Sequence, residues 1–316
     1  MWMREIMAQT LISLMERDPD MVLLDADLSS ANGTGAVHRR FPERTFNVGI
    51  AEQNLVCVAA GLASYGFKPY ITSFTPFATR RVCDQLAISV LYADLNVKVI
   101  GTDPGIAAEL NGGTHMSMED IGVLRSIPGS VIFEPSDGVE LRLGLQAMHE
   151  YPRSVYMRTC RKELCDLHDP DTYSFDLLRA DVMREGRDVT ILSSGLMVRE
   201  ALEAAAQLSE EGVEAEVINV HTIKPLDAWT ILASLQKTGC AVAAENHNVI
   251  GGLRSAVLEA LADQLRVPVT AVGVEDTFGE VGPLSYLKER FGLNAQAVVR
   301  QARRAMDLKK NWRCIP

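Results

Sequence analysis

The chain alternates between short apolar runs and segments whose apolar residues recur at helical spacing. Over 4–17, Ile6, Met7, Leu11, Leu14 and Met15 fall on one face of a predicted helix, which Pro19 closes. Residues 21–27, Met-Val-Leu-Leu-Asp-Ala-Asp, have the near-continuous hydrophobicity of a strand buried on both faces. They give way to the polar, glycine-containing run 29–35. A short strand over 45–48 runs into Gly49, and a helix starts near Ala51 and continues through Leu55, Val58, Ala59, Leu62 and Ala63. After a strand over 68–74, Pro76 suits the first turn of a helix reaching Tyr92. The pattern then predicts a strand over 97–103, a glycine-rich loop over 104–118 and a short helix over 118–126. A strand over 131–134, a helix over 138–150 and a strand over 154–160 follow.

Strands that alternate with helices imply an α/β fold, a parallel sheet covered on both faces. Functional loops in such sheets lie at the carboxyl ends of the strands, where Asp27, Phe74, Asp103 and Arg161 all stand. From 161 to 187 the pattern lapses into a polar stretch with Asp166, His168, Asp169, Pro170 and Asp171, which reads as a linker. A second alternation follows, with strands over 189–193, 215–220, 240–245 and 269–274. Its helices are expected over 197–210, 227–237, 252–265, 284–291 and 294–308. The expected organisation is two α/β domains, 1–165 and 187–316, joined by a linker over 166–186.

A length of 316 residues suits two domains, and 47% hydrophobic content is enough for two cores. The net charge of -10 argues against a general nucleic-acid surface. No basic-then-apolar leader opens the chain. The longest apolar stretch, 55–66, is broken by Gly61, Ser64 and Tyr65 and is too short to span a bilayer. The expected location is the cytoplasm, with no membrane contact. Cys57, Cys83, Cys160, Cys165, Cys240 and Cys314 form no C-x-x-C pair, and Cys57, Cys83 and Cys240 lie in apolar segments as expected reduced core residues. The histidines show no metal-ligand spacing. The basic run Lys309, Lys310 and Arg313 reads as solvated.

Glu52 falls in the first turn of a helix whose other turns are almost wholly apolar. Local pattern leaves two readings open. One is a helix-start acid favoured by the dipole. The other is a buried acid held for proton chemistry. Elsewhere there is no G-x-x-x-x-G-K-[ST], no convincing G-x-G-x-x-G after a strand and no G-x-S-x-G elbow, and Gly33-Thr34-Gly35 is a weak signal.

Several motifs, in order, carry a resemblance. They are Phe46-Asn-Val-Gly-Ile-Ala-Glu-Gln-Asn54, Ala60-Gly-Leu-Ala-Ser-Tyr-Gly-Phe-Lys-Pro69 and Thr72-Ser-Phe-Thr-Pro-Phe77. Gly112-Gly-Thr-His-Met-Ser-Met-Glu-Asp-Ile121, Arg125-Ser-Ile-Pro128 and Glu134-Pro-Ser-Asp137 continue the series. His221-Thr-Ile-Lys-Pro-Leu-Asp227 and Glu245-Asn-His-Asn-Val-Ile-Gly-Gly-Leu253 extend it into the second half. Together they resemble transketolase over nearly the whole chain, from its pyrimidine-binding domain into its carboxy-terminal domain. The resemblance implies thiamine diphosphate as cofactor and transfer of a ketol unit from a ketose phosphate to an aldose phosphate. It implies that Glu52 bonds the ring nitrogen of the aminopyrimidine and so activates the cofactor, a task that an apolar surround would assist. Phe74 and Phe77 match the aromatics that pack on that ring, Asp27 matches an acid near the cofactor, and Ile50 joins them as a cofactor-binding position. His115 matches a histidine that contacts donor sugar. Arg161 matches an arginine gripping substrate phosphate, and Asp103 and Asn111 line the donor site.

The departures concern the donor. Asp103 stands where the family usually carries a histidine, Leu110 removes an acid, Asn111 replaces an aspartate, and Arg80 replaces an aromatic near the pyrimidine. Nothing in the chain fits the Gly-Asp-Gly…Asn motif that holds the Mg2+ and diphosphate, and a complete transketolase is considerably longer. The expectation is a naturally split enzyme, with this chain as its carboxy-terminal subunit. A separate amino-terminal subunit supplies the metal ligands, in a dimer of heterodimers that is active only when both are present. The alternatives are a β-subunit of a 2-oxoacid dehydrogenase, a split deoxyxylulose-phosphate synthase, or a non-catalytic homologue.

Overall fold

The computed structural model describes residues 1–312; Arg313 of the basic run and Cys314 lie outside the described residues. Twelve strands form its frame: β1 (Met21–Asp25), β2 (Thr45–Asn47), β3 (Lys68–Phe74), β4 (Lys98–Thr102), β5 (Ile132–Phe133), β6 (Val155–Thr159), β7 (Asp181–Arg184), β8 (Val189–Ser193), β9 (Ala215–Asn219), β10 (Thr222–Lys224), β11 (Ala241–Asn248) and β12 (Val269–Val274). They build a seven-stranded sheet in the order β10-β5-β6-β4-β3-β1-β2 and a five-stranded sheet in the order β12-β11-β8-β9-β7. Pairing is parallel throughout except at one edge of each sheet, where β10 runs antiparallel to β5 and β7 antiparallel to β9.

The continuous apolar runs give strands buried on both faces, because successive side chains point to opposite sides. Val22 and Leu24 enter the core that includes Leu55, Val56 and Ala59 of the Glu52–Ser64 helix. Met21 and Leu23 enter the opposite core, with Met7 and Leu11 of the Met3–Arg17 helix and Leu141 and Leu145 of the Gly138–Glu150 helix. Asp137 caps that last helix by accepting from the Glu140 amide at 2.8 Å, an arrangement that contributes about 1 kcal/mol.

Four features differ from the expectations. The single helix expected from Pro76 to Tyr92 is broken into a turn of helix at Thr75–Ala78, a 3-10 turn at Arg80–Val82 and a π-helix at Gln85–Tyr92. Thr79 departs from helical geometry at φ -130 and ψ -84. Its hydroxyl donates to the Thr75 carbonyl at 2.7 Å, and the Thr75 hydroxyl is drawn to the Thr102 carbonyl at 2.9 Å. Threonine bonds of this kind bend helices. Second, β1 and β4 stop short of Asp27 and Asp103, which adopt left-handed backbones at φ 62 and φ 53, a conformation that aspartate tolerates better than most residues. Third, the polar stretch over 161–187 carries β7, and the His221–Asp227 motif carries β10, which crosses over to complete the first sheet. Fourth, Cys240 is buried, but Cys57 is exposed and Cys83 only half-buried. The Glu52–Ser64 helix is apolar around most of its circumference, and only one face of it packs inward.

The two sheets meet through buried polar groups. Arg158, fully buried on β6, bonds Asp120 at 2.8 Å, Glu134 at 2.9 Å and the Asn246 carbonyl of β11 at 3.1 Å. A buried charge of this kind stays in place only while its partners do. It therefore fixes the register of the second domain against the strand ends of the first. None of the described helices is long and apolar enough to cross a membrane.

Candidate cofactor and substrate site

The end of β2 sets the first part of the site. Asn47 accepts from the Gly49 amide at 2.9 Å and from the Asp27 amide at 3.0 Å, and its own amide donates to the Asp27 carboxylate at 3.1 Å. Asn47 thus ties the acid after β1 to the glycine turn before the helix, a role that its motif position alone did not reveal. Gly49 has φ +74 and open space where a Cβ would sit. Ile50 projects from this turn, 78% exposed. Glu52 opens the helix and is 5% exposed. Its surround is not the wholly apolar one expected: Arg81 donates to Glu52 Oε1 at 2.8 Å.

Phe74 at the end of β3, Phe77 in the turn that follows and His115 on the 104–118 loop pack edge to face. Their centroids lie 6.2 Å (Phe74–Phe77), 5.7 Å (Phe74–His115) and 5.2 Å (Phe77–His115) apart. His115 Nδ1 shares a hydrogen bond with the Thr114 hydroxyl at 3.0 Å. A guanidinium covers each phenylalanine: Arg81 lies 3.8 Å from the Phe77 centroid and Arg161 4.7 Å from that of Phe74. Arg80, read from the sequence as the residue near the pyrimidine, turns instead to Glu119 at 2.5 Å. Both arginines are about equally exposed, and after the break at Thr79 it is Arg81 that lies on Phe77.

On the other side, Asp103 grips Arg161 twice, accepting from its backbone amide at 2.9 Å and from its Nε at 2.5 Å. Burial holds the Asp103 carboxyl above its ordinary range, against the charge and hydrogen bonds of Arg161, which lower it. Arg161 Nη1 donates to the Ala31 carbonyl at 3.2 Å, and Arg4 Nη1 reaches the same oxygen at 3.5 Å. Arg4 is held there because its amide bonds the Arg161 carbonyl at 3.1 Å. It reads in sequence as the polar face of a helix, so its place beside Arg161 is legible only in three dimensions. Asn111 and Leu110 are exposed on the 104–118 loop. Glu109, with a strained backbone at φ 48 and ψ -116, pairs with Lys162.

These groups form two neighbouring recognition surfaces. A flat aromatic face beside a buried carboxylate suits a planar ring that offers an N–H, and Arg81, itself a planar N–H donor, stands in for such a ring by lying on Phe77 and bonding Glu52. The residues therefore fit an aminopyrimidine. The guanidinium of Arg161, braced by Asp103, suits an oxyanion. Separately, Glu140, Asp181 and His221 bring three potential metal-ligand atoms within 4.8 Å of one another. The Tyr173 hydroxyl already bonds both carboxylates there, and none of these residues contributes to the aromatic site.

Comparison with known proteins agrees with this geometry. Residues 1–166 match the transketolase pyrimidine binding domain and residues 178–298 the transketolase C-terminal domain. The chain is 48% identical over 312 residues to the 6-deoxy-6-sulfo-D-fructose transketolase subunit SqwH of Clostridium sp. (strain MSTE9), covering 99% of this chain and 96% of that protein. It is 36% identical to the 1-deoxy-D-xylulose-5-phosphate synthase of Desulforudis audaxviator (strain MP104C), covering 94% of this chain but only 47% of that protein. Among solved structures, a split gene transketolase described as an inactive beta4 tetramer superposes with a TM-score of 0.89 at 39% identity, over 98% of this chain and 99% of that one. With both domains matched in order, this chain belongs to the transketolase family, in the form of the carboxy-terminal section of a split transketolase.

Proposed function

We propose that this chain is the carboxy-terminal half of a two-chain enzyme that transfers a ketol unit from a ketose to an aldose, using thiamine diphosphate. The observation that carries the proposal is the planar Arg81 guanidinium lying on Phe77 and bonded to Glu52. Glu52, Phe74 and Phe77 would hold the aminopyrimidine, with Ile50 and Asp27 at its margins. When bound, the cofactor supplies a carbon nucleophile that can hold the electron pair left by carbon–carbon cleavage. Glu52, 5% exposed, would exchange a proton with the ring nitrogen. His115 places an imidazole N–H where negative charge would develop on the donor oxygen. Asp103 keeps Arg161 turned towards the anionic end of the sugar, and Asn111 reads a donor hydroxyl from the loop. The ligands for Mg2+ would come from the amino-terminal partner.

The identity to a subunit named for 6-deoxy-6-sulfo-D-fructose points to a ketose that carries an oxyanion at its far end. A sulfonate or a phosphate would meet the Arg161 guanidinium in the same way. The assembly we propose is a dimer of heterodimers in the cytoplasm. An unpartnered apolar face on the Glu52–Ser64 helix and the neighbouring Gln85–Tyr92 segment supports it, with Val58, Tyr65, Ile88 and Tyr92 all exposed.

The test is co-expression with a subunit carrying Gly-Asp-Gly…Asn, followed by ketol-transfer assays with added thiamine diphosphate and magnesium on sulfo- and phospho-ketoses. Transfer by the pair and none by this chain alone is expected. Activity of the isolated chain would contradict the split arrangement. Decarboxylation of a 2-oxoacid without ketol transfer would select the dehydrogenase or synthase alternative.

A further inference from the structure

The loop that carries His115 is shaped by the second domain. Its neck closes within the first domain, where the Gly105 amide bonds the Ser117 carbonyl at 3.0 Å. Above the neck His115 packs on Phe74 and Phe77 and Glu109 pairs with Lys162, but the entry, crown and exit of the loop lean on residues from beyond Asp188. Asn246 at the end of β11 clamps the entry, accepting from the Ile106 amide at 3.0 Å and donating to the Pro104 carbonyl at 2.8 Å. The Asn248 amide takes the Met118 carbonyl at the exit, at 2.8 Å. The crown packs closely on the segment after β12, against backbone at Gly113 and against side chains at Gly112 and Gly279. A Cβ on Gly112 would fall 2.7 Å from Val281 Cγ2, one on Gly113 would fall 2.3 Å from the Gly279 carbonyl oxygen, and one on Gly279 would fall 2.2 Å from Met116 Sδ. Gly112 and Glu109 also hold positive φ angles, 75 and 48. Backbone in such regions persists only where its surroundings over-determine it. Contact of this kind at the entry, crown and exit of one loop is more than two domains need in order to touch.

We propose that the second domain acts as a template for the donor loop. Gly279 and Val281 are positioning residues that fix Met116 and Gly112 on either side of His115, and so fix where the imidazole meets the donor sugar. The proposal rests on the ketol-transfer reading for its kinetic consequence but not for its structural one. A methyl group at residue 279 would push on Met116, the immediate neighbour of His115. Trimming Val281, 65% exposed and so of little weight in folding, would free Gly112.

The experiment has two arms. In the reconstituted two-chain enzyme, Val281→Ala and Gly279→Ala are expected to raise the KM for the ketose donor about fivefold or more, leaving the KM for the aldose acceptor within twofold. Val281→Ile, which keeps the contact with Gly112, should restore the donor KM. In this chain alone, amide hydrogen exchange over 106–116 is expected to rise at least tenfold in Val281→Ala, with β3 and β8 unaffected. Unchanged donor KM together with unchanged loop exchange would overturn the template. If the wild-type pair transfers no ketol, the proposed reaction falls and the exchange arm alone decides: faster exchange supports the template and unchanged exchange overturns it.

Discussion

Arg81 Nη1 donates to Glu52 Oε1 at 2.8 Å while the same guanidinium lies 3.8 Å over the Phe77 ring. One planar cation therefore occupies both surfaces proposed for the aminopyrimidine. The Arg81 side chain is 44% exposed, so solvent screens the pair, which is worth about 1 kcal/mol at most. The stacking adds roughly 0.5–1 kcal/mol. A ring binding there has to displace it. Arg81→Ala is expected to tighten thiamine diphosphate binding by the two-chain complex about three- to tenfold, measured by calorimetry at fixed magnesium. Equal or weaker affinity would mean that the guanidinium stays in place beside the bound cofactor, and Arg81 would no longer count as a stand-in.

Glu52→Gln keeps the shape of the side chain and an acceptor for Arg81 but removes the acid. If Glu52 holds the proton that activates the cofactor, turnover should fall about 100- to 10,000-fold, the range of a lost general acid–base group. Cofactor affinity should change far less, and the melting temperature should stay near that of the parent. A variant with an undiminished rate would leave Glu52 as a helix-start acid and nothing more.

Asp103 bonds Arg161 through both carboxylate oxygens, so its role would lie in aim rather than in contact with the sugar. Asp103→Ala should raise the KM for a ketose ending in sulfonate or phosphate roughly tenfold, the effect of about 1.4 kcal/mol, without altering that for a neutral ketose. An equal rise for both donors would show that Asp103 supports the fold of the site and not the reading of charge.

The alternation of strands and helices was legible because a strand buried on both faces has to be apolar at nearly every position, as 21–24 is, with Met21 and Leu23 in one core and Val22 and Leu24 in the other. The ordered motifs likewise pointed to Glu52, Phe74, Phe77 and His115, and the structure gathers the last three into one aromatic cluster. What stayed hidden depended on contacts remote in sequence. Thr79 and Thr75 break the expected helix because a carbonyl on β4 competes for a hydroxyl, and no local pattern announces that partner. Arg80 and Arg81 are equivalent as sequence; after the break one bonds Glu119 and the other lies on Phe77. β10 is three residues long and pairs with a strand some ninety positions earlier, far beyond the reach of periodicity.

The junction between the sheets carries two ionisable groups whose effects on stability oppose each other. Burial pushes the Glu245 carboxyl up to about 7, against the two backbone amides that bond it, and pushes His247 down to about 4. Glu245 keeps its proton on folding, so its contribution is fully present below the ordinary carboxyl value and is lost as the pH rises through about 7. His247 is neutral in the fold, so its contribution is present above the ordinary imidazole value and is lost as the pH falls through about 4. Across the shared window, near pH 5–6, the two cancel. Urea titrations of Glu245→Gln should show stability rising with pH in that window and those of His247→Gln should show it falling, each by about 1 kcal/mol per pH unit. Parallel profiles for the two variants would contradict the assignment.

The outer face of the Glu52–Ser64 helix makes the last claim testable without any assay of turnover. Tyr92 is 86% exposed and Ile88 58% exposed on the Gln85–Tyr92 segment, which packs against the Glu52–Ser64 helix, where Val58 and Cys57 are exposed as well. Exposed apolar side chains gathered on two packed elements fit an association site. Burying one such side chain contributes about 1.5–3 kcal/mol, so a charge in its place should weaken assembly by tenfold or more. Ile88→Glu is expected to shift the complex to its smaller species in sedimentation velocity without lowering the melting temperature of the isolated chain, where residue 88 already faces water. Cys57, exposed on the neighbouring helix, gives a second readout. Its alkylation should be slow in the assembled parent and fast in Ile88→Glu. Fast alkylation in both, with no change in sedimentation, would place the interface elsewhere on the molecule.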